Sequence, residues 1–243
     1  MPAKSAYFLF PAGTAGPTGT LLPMSTDALP VEAIAARERL LLDDLTWEQY
    51  VTITDALPER PGLRTAFDGT RLELTTTSSR HEWYKSLLAR MVEMLTFELG
   101  YPLHSGGNAT FRREDLERGL EPDACFWIEN ATQIRNDRNW DAASDPPPDL
   151  AVEIDVESTS VDRDAIYAKL GVPELWRFNG HRLQAYRLSA AGVYESVERS
   201  RAFPFLTVAD LLPFVVSEEP DENALMRAYL EWLRSQEFPL GPG

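Results

Sequence analysis

The feature that most constrains the fold is a run of twenty residues, 80–99, whose apolar side chains recur at helical spacing. An α-helix has about 3.6 residues per turn, so these side chains would form one apolar stripe. The stripe is made of Tyr84, Leu87, Leu88, Met91 and Leu95. Ser78 or Ser79 can cap the start of the helix, and Gly100 can end it. The pattern therefore predicts one long helix that packs on a sheet.

Short apolar segments typical of strands flank this helix. Before it, residues 63–67 and 72–74 surround the dipeptide Asp68-Gly69, a strong hairpin signal. After it, strands are predicted around 107–111, 124–128, 150–156, 174–178 and 182–188, with a short helix at 162–170. This order predicts an α/β or α+β domain, in which a mixed central sheet is flanked by helices.

The ends of the chain differ from this central part. Residues 1–42 are rich in turn formers and are interpreted as a flexible or peripheral extension. The domain is predicted at 43–216 and begins near a helix that Thr46 can cap. An amphipathic helix at 222–236 dominates the remaining segment, 217–243. Residues 129–148 read as a long irregular insert.

Composition limits the cellular location and the kinds of site that are expected for this chain. No run reaches the ~18 apolar residues that a transmembrane helix needs, and the N-terminus does not resemble a signal peptide. The single cysteine, Cys125, cannot form an internal disulfide, and it lies in an apolar run that favours a structural role. Together with three scattered histidines it makes a zinc site improbable. A cytoplasmic protein without a membrane association is expected.

The net charge of −15 limits how the chain can meet nucleic acid. Proteins that bind duplex DNA usually present a basic face to the phosphates. An acidic total argues against tight, non-specific DNA binding, although it allows a local basic patch or a cluster of carboxylates that metal ions neutralise.

Two carboxylates lie in apolar strand segments. Asp123 opens the strand in EPDACF, and Glu153 lies inside DLAVEIDVES, with Asp155 on the same face because side chains alternate along a strand. A charged residue is rarely buried in a strand unless it is paired or binds a metal. Mg²⁺ takes one or two carboxylates plus water, so two such strands side by side could hold one ion. Exposed edge positions or salt bridges would explain the same spacing.

Several blocks of the sequence, in order, resemble the Uma-two family, a group of predicted endonucleases once classed as a domain of unknown function. The blocks are LTWEQY, FDGTRLELTTTSSRHEWYK, EPDACFWIEN, PPPDLAVEIDVESTS, IYAKLGVPELWRFNG and FPFL, which together run from about Leu45 to Phe214. The family belongs to the restriction-endonuclease-like, or PD-(D/E)XK, superfamily. The resemblance implies a mixed sheet flanked by helices, a divalent metal (Mg²⁺ or Mn²⁺) and hydrolysis of phosphodiester bonds in DNA.

The superfamily pattern is Pro-Asp, a gap, and then Asp/Glu-x-Lys. Pro122-Asp123 matches its first part and Glu153 its acidic position, so the resemblance implies Asp123 and Glu153 as metal ligands. Asp155 stands at the lysine position, which breaks the pattern there. It is either an additional metal ligand or merely the residue left where a lysine was lost.

The missing lysine has three candidate substitutes. Many family members carry a lysine four residues before a tyrosine, and at that spacing before Tyr167 this chain has Arg163. Arginine keeps the charge but is a poor proton acceptor, so it could only stabilise a developing negative charge. Lys169 and Lys85 are the other candidates, and a solvated helix surface is the alternative reading.

The start of the long helix adds His81 and Glu82 to the candidates. Superfamily members often supply a helix glutamate to the metal site, and the Uma-two family commonly has a histidine here. Glu82 lies about 160° from the centre of the apolar stripe and is expected to point away from the sheet, whereas His81 lies about 60° from it. His81 is therefore the stronger candidate, and a structural pair in the first helical turn is the alternative.

Two functions remain open at this point. One is a Mg²⁺-dependent endonuclease acting on DNA. The other is a catalytically silent protein that uses the same fold to bind nucleic acid or a partner protein, which the acidic charge and the missing lysine favour. A homodimer is also expected, because nucleases of this superfamily often pair and because the stripe of the C-terminal helix needs a cover. The stripe could equally pack on its own domain.

Overall fold

The computed structural model describes residues 38–57, 62–107, 109–134, 141–154 and 161–242. Strands and helices are numbered in chain order. The strands are β1 (Glu38–Leu42), β2 (Leu63–Phe67), β3 (Leu72–Thr76), β4 (His104–Gly107), β5 (Phe111–Arg113), β6 (Arg118–Leu120), β7 (Ala124–Trp127), β8 (Leu150–Ile154), β9 (Glu174–Phe178), β10 (Leu183–Leu188) and β11 (Tyr194–Val197). The helices are α1 (Trp47–Ala56), α2 (Ser79–Leu99), α3 (Arg163–Leu170), α4 (Leu212–Val215) and α5 (Glu222–Ser235).

A six-stranded mixed sheet forms the centre of the fold, in the order β11-β10-β9-β8-β7-β4. β8 and β9 run parallel, joined across the sheet by α3, and the other neighbours are antiparallel. The five helices and the mixed sheet confirm the predicted fold class.

A second sheet, which is antiparallel throughout, was not separated from the first by sequence reasoning. Its order is β1-β3-β2-β6-β5, and the predicted hairpin is its centre, with Leu63 paired to Thr76. β1 pairs with β3 along its whole length, so residues 38–42 belong to this sheet. The domain boundary predicted between residues 42 and 43 would therefore separate β1 from the sheet to which it belongs. The rest of that predicted extension, 1–37, lies outside the described residues.

Helix α2 has the ends that the sequence predicts. The Ser78 side chain accepts a hydrogen bond from the His81 N–H, and Gly100 ends the helix in the left-handed conformation. The predicted stripe is buried on one face of the mixed sheet, against strand residues such as Phe126 and Val152. That packing holds the first turn of α2 beside the start of β7, where His81 contacts Asp123.

Helix α5 covers its own apolar stripe within the chain. Leu225, Met226, Tyr229 and Leu233 are buried in the same core as α2, and the Tyr229 hydroxyl donates to the Met91 carbonyl at 3.2 Å. The stripe therefore needs no second copy of the chain, and one of the two grounds for a homodimer is lost.

The opposite face of the mixed sheet packs on α3 and the antiparallel sheet. Cys125, Trp127 and Ala151 from the strands meet Ile166 and Tyr167 from α3. Cys125 is fully buried, as its apolar surroundings predict. Within the described parts of the chain, no helix is both long and apolar enough to cross a bilayer.

Candidate active site

Asp123 and Glu153 lie on neighbouring strands and on one face of the mixed sheet. β7 and β8 pair antiparallel with Ala124 opposite Val152, so continuing the register places Asp123 opposite Glu153. Side chains alternate along a strand, and Cys125 and Ala151 both point into the core on the α3 side. Asp123 and Glu153 therefore point to that same side. Both are buried, with 4% and 6% of their surface exposed.

Asp123 is held by one backbone donor and two cations. Its Oδ2 accepts a hydrogen bond from the Ile154 N–H at 2.8 Å and lies 3.2 Å from His81 Nε2, while its Oδ1 lies 3.7 Å from Arg64 Nε. Burial alone would raise the pKa of Asp123, but the contacts with His81 and Ile154 and the charge of Arg163 outweigh it and lower the pKa. Asp123 is accordingly an anion at neutral pH.

Glu153 is held by side chains from α3. Its Oε1 accepts a hydrogen bond from Arg163 Nη2 at 2.7 Å and another from the Tyr167 hydroxyl. Burial raises the pKa of Glu153 and the nearby charge of Asp123 adds to this, although Arg163 opposes it. The two carboxylates thus repel each other, as expected for groups that share a site. Within the described residues, the hydrogen bonds that Glu153 accepts all end on Oε1.

His81 contacts Asp123, one of the two carboxylates selected from the sequence. Burial would lower the pKa of the His81 imidazole, but Asp123 and Glu82 raise it to about 9. His81 Nδ1 lies 3.6 Å from Glu82 Oε1, too far for a normal hydrogen bond. The imidazole is therefore a cation beside Asp123 near neutral pH, and in that state it cannot accept a proton.

Glu82 turns toward the antiparallel sheet and forms a cluster with three donors. Arg64 Nη2 lies 3.2 Å from its Oε1, the Thr77 hydroxyl 2.7 Å from the same oxygen, and Lys85 Nζ 2.6 Å from Oε2. Its helical position predicted that Glu82 would point away from the sheet, but Glu82 contacts the antiparallel sheet, and Arg64 connects it to Asp123. It reaches the site through Arg64 and His81 rather than directly.

The other sequence candidates lie in different places. Arg163 is in direct contact with Glu153, and its Nη2 also donates to the Glu121 carbonyl at 3.0 Å. Lys169 is exposed and lies about 200° around α3 from Tyr167, so the helix directs it away from the carboxylates. Asp155 lies outside the described residues.

Three residues of the site were not selected from the sequence. Arg64 is a charged residue in an apolar strand, the same signal that singled out Glu153, and could have been found that way. Tyr167 served in the sequence only to locate Arg163, although its position four residues after Arg163 places both side chains on one helix face. Glu121 accepts a hydrogen bond from the Thr65 hydroxyl at 2.9 Å, and no sequence signal indicates that contact.

The two carboxylates suit a hard divalent cation. Within the described residues, no group of three or more acidic, histidine or cysteine side chains converges as a metal cage. Mg²⁺, however, is usually bound by one or two carboxylates, with water and substrate oxygens completing its shell. Asp123 Oδ1 has no hydrogen bond among the described residues, and neither has Glu153 Oε2. Each carboxylate therefore retains one oxygen for a ligand.

Cationic groups around the carboxylates keep unused donors. Arg64 Nε, His81 Nδ1 and Arg163 Nε are buried and form no hydrogen bond with the described residues. Buried donors are normally satisfied, so each of these is a donor for which the described residues supply no hydrogen bond. A phosphate group has both the charge and the acceptor oxygens for such donors.

The chain is similar to a known protein family and to a solved structure. The model of the family Uma2, described as "Putative restriction endonuclease", matches residues 47–219. A crystal structure described as "a putative nuclease belonging to DUF820 from Anabaena variabilis ATCC 29413" is similar at 15% identity, with a TM-score of 0.48, over 78% of this chain and 99% of that chain. No curated protein matches the chain significantly.

Proposed function

The chain belongs to the Uma2 family, whose model covers most of its length, and we propose on that premise that it is a metal-dependent endonuclease hydrolysing phosphodiester bonds in DNA. The observation that carries the proposal is the pairing of Asp123 with Glu153, which brings two buried carboxylates to one face of the mixed sheet. Burial of two like charges is costly, so their retention together indicates a ligand that needs both.

Asp123 and Glu153 would hold Mg²⁺ or Mn²⁺ through the oxygens that the protein leaves without hydrogen bonds. The ion, when bound, acidifies water and stabilises charge on the phosphate. Asp123 is fixed for this role by the Ile154 N–H, and Glu153 by α3. Asp155 follows Ile154 in the chain and is proposed as a third ligand.

The cations of the site would act on the substrate rather than on protons. Arg163 keeps its charge at all ordinary pH values, so it can stabilise negative charge on the phosphate but cannot serve as a base. His81 and Glu82 are proposed to orient Asp123, His81 through direct contact and Glu82 through Arg64. Lys169, a catalytic candidate in the sequence, is proposed to take no part in the reaction because it lies on the exposed side of α3.

Cleavage of a supercoiled plasmid tests the proposal. The wild-type chain should nick or linearise the plasmid in Mg²⁺ or Mn²⁺ and should be inactive in EDTA. Glu153→Gln keeps the shape of the side chain and removes its charge, so it should reduce the rate by at least about a hundredfold. Lys169→Ala is the matched control and should cleave like the wild type. Equal cleavage with and without metal would refute the proposal.

A catalytically silent binding module is the second candidate. The observation that favours it is that each carboxylate already contacts a cation of the protein, Asp123 with His81 and Glu153 with Arg163. A site neutralised in this way could bind nucleic acid or a partner protein without turning it over. Wild-type protein that binds DNA but leaves the plasmid intact in every metal would favour this function.

Assembly and location are further proposals. A homodimer would bring two sites to the two strands of a duplex, and that ground alone now supports it, since α5 covers its own stripe. A cytoplasmic location rests on the single cysteine, Cys125, which is buried and free.

A further inference from the structure

We propose that Tyr167 is a positioning residue that orients Glu153 for a cation, a role that rests on the proposed function of the site. In the sequence, Tyr167 marked only the spacing that locates Arg163. In the structure its ring is fully buried, but its hydroxyl donates a hydrogen bond to Glu153 Oε1.

Tyr167 and Arg163 converge on the same oxygen of Glu153. Arg163 Nη2 donates to Oε1 at 2.7 Å, and the Tyr167 hydroxyl donates to Oε1 as well. Two donors on one oxygen restrict rotation of the carboxylate and leave Oε2 without a hydrogen bond among the described residues. A ligand carboxylate that is oriented by protein donors binds metal better than one that rotates freely.

Helix α3 gives this pair of donors a rigid support. The Asp162 side chain caps its start by accepting from the Ala165 N–H at 3.0 Å, and Gly171 ends it in the left-handed conformation. Ile166 and Leu170 anchor the helix in the core between the two sheets. Residues four apart lie on one helix face, so fixing the helix fixes both donors relative to Glu153.

The two donors have different chemistry, which separates their roles. Arg163 brings a charge, which compensates Glu153 and would also act on a phosphate. Tyr167 contributes only a hydrogen bond that orients the Glu153 carboxylate, since its hydroxyl is neutral. A phenylalanine ring would occupy the same space without that hydrogen bond. Removal of the Tyr167 oxygen should therefore change how well Glu153 binds a cation, with little effect on the rest of the site.

Mn²⁺ binding to the full chain tests the inference. Tyr167→Phe is compared with the wild type and with Tyr229→Phe, the matched control, which removes a buried hydroxyl bonded to the Met91 carbonyl far along α2. Affinity is measured by electron paramagnetic resonance of free Mn²⁺, thermal unfolding monitors the fold, and plasmid cleavage is followed against Mn²⁺ concentration. Tyr167→Phe should weaken Mn²⁺ binding by about 10- to 100-fold. Tyr229→Phe should leave it unchanged.

The outcomes separate this inference from the proposed function. If Tyr167 positions Glu153, raising the Mn²⁺ concentration should restore cleavage by Tyr167→Phe, because Glu153 itself is still present. If the wild type binds Mn²⁺ and Tyr167→Phe binds it equally well, the inference is overturned and the proposed function stands. If Tyr167→Phe and Tyr229→Phe weaken Mn²⁺ binding to the same degree, the effect is one of general stability and the inference is again overturned. A wild type that binds no Mn²⁺ would overturn both.

Discussion

At the scale of single residues, each acidic side chain of the candidate site lies against a basic side chain. Asp123 contacts His81 and Arg64, and Glu153 contacts Arg163. Desolvating a charge costs several kcal/mol, and a buried partner returns part of that cost. Each acid is therefore tolerable in the core only while its cation is present, which makes the pairs sensitive to single substitutions.

Arg163→Ala should destabilise the fold. The Arg163 and Glu153 side chains are 13% and 8% exposed, so loss of the guanidinium leaves a buried carboxylate without its cation. We expect the free energy of unfolding to fall by about 3 kcal/mol at neutral pH. Arg163→Lys keeps the charge but cannot reproduce the fork of donors, and it should lose less. Urea denaturation measures both, and a loss below about 1 kcal/mol for Arg163→Ala would contradict the pairing.

At the residue level, the informative sequence signal was a charge that interrupts an apolar segment. Asp123, Glu153 and Arg163 were selected on that signal or on the family spacing, and the structure brings all three together. Lys169 was a candidate because of its charge alone, and its direction depends on how α3 is rotated against the sheet. Glu121 is the reverse case, since its contact with Thr65, 56 residues away in the chain, arises only when β2 and β6 pair.

At the level of elements, a buried carboxylate fastens strand β9 to residues 200–202. Glu174 accepts hydrogen bonds from Trp176 Nε1 and from the backbone N–H groups of Arg201 and Ala202, all at 2.8–2.9 Å. Burial raises the pKa of Glu174, although these donors oppose the rise. The segment that follows β11 thereby closes over the end of the mixed sheet.

The raised pKa of Glu174 gives the fold a defined pH dependence. A carboxyl whose folded pKa exceeds its unfolded value of about 4.3 binds protons more readily when folded. Its contribution to stability is therefore complete below that value and is lost as the pH rises through the folded pKa. Glu174→Gln removes this titration. The stability of the wild type relative to Glu174→Gln, measured by urea denaturation, should decline as the pH rises above about 4. A relative stability that is constant or grows with pH would show that burial does not raise the pKa of Glu174.

Helix α5 should stabilise the domain by packing rather than by pairing with another copy. Leu233 is 1% exposed in the core shared with α2, whereas Leu240 is 77% exposed. Leu233→Ala should lower the free energy of unfolding by about 2–5 kcal/mol through the cavity it leaves. Leu240→Ala serves as the control and should change it by no more than about 0.5 kcal/mol. Similar losses in the two variants would contradict this placement of α5.

The elements that periodicity and caps could predict are those whose partners are local. Helix α2 has a complete stripe, Ser78 at its start and Gly100 at its end, and all of these act within one element. Strand β1 was missed because its identity depends on pairing with β3, some thirty residues away. The split into two sheets was missed for the same reason, since register and partner are tertiary properties.

At the scale of the whole molecule, the net charge determines how binding of DNA depends on metal ions. At −15, the chain repels a polyanion at long range, whereas the cations of the site attract it at short range. Binding of a short duplex, followed by fluorescence anisotropy, should be at least about tenfold tighter with Mg²⁺ than in EDTA, because the ion offsets the carboxylates. Equally tight binding in EDTA would place the contact on a surface away from Asp123 and Glu153.

The central claim is that Asp123 and Glu153 hold one divalent cation between them. Calorimetric titration of Mn²⁺ into the wild type, Asp123→Asn, Glu153→Gln and the double variant tests it most directly, with Lys169→Ala as the control. Each single substitution should weaken binding at least about tenfold, and the loss of binding free energy in the double variant should differ from the sum of the two single losses, because the two ligands act on the same ion. Lys169→Ala should bind as the wild type does. Wild-type affinity in both single variants would contradict the claim.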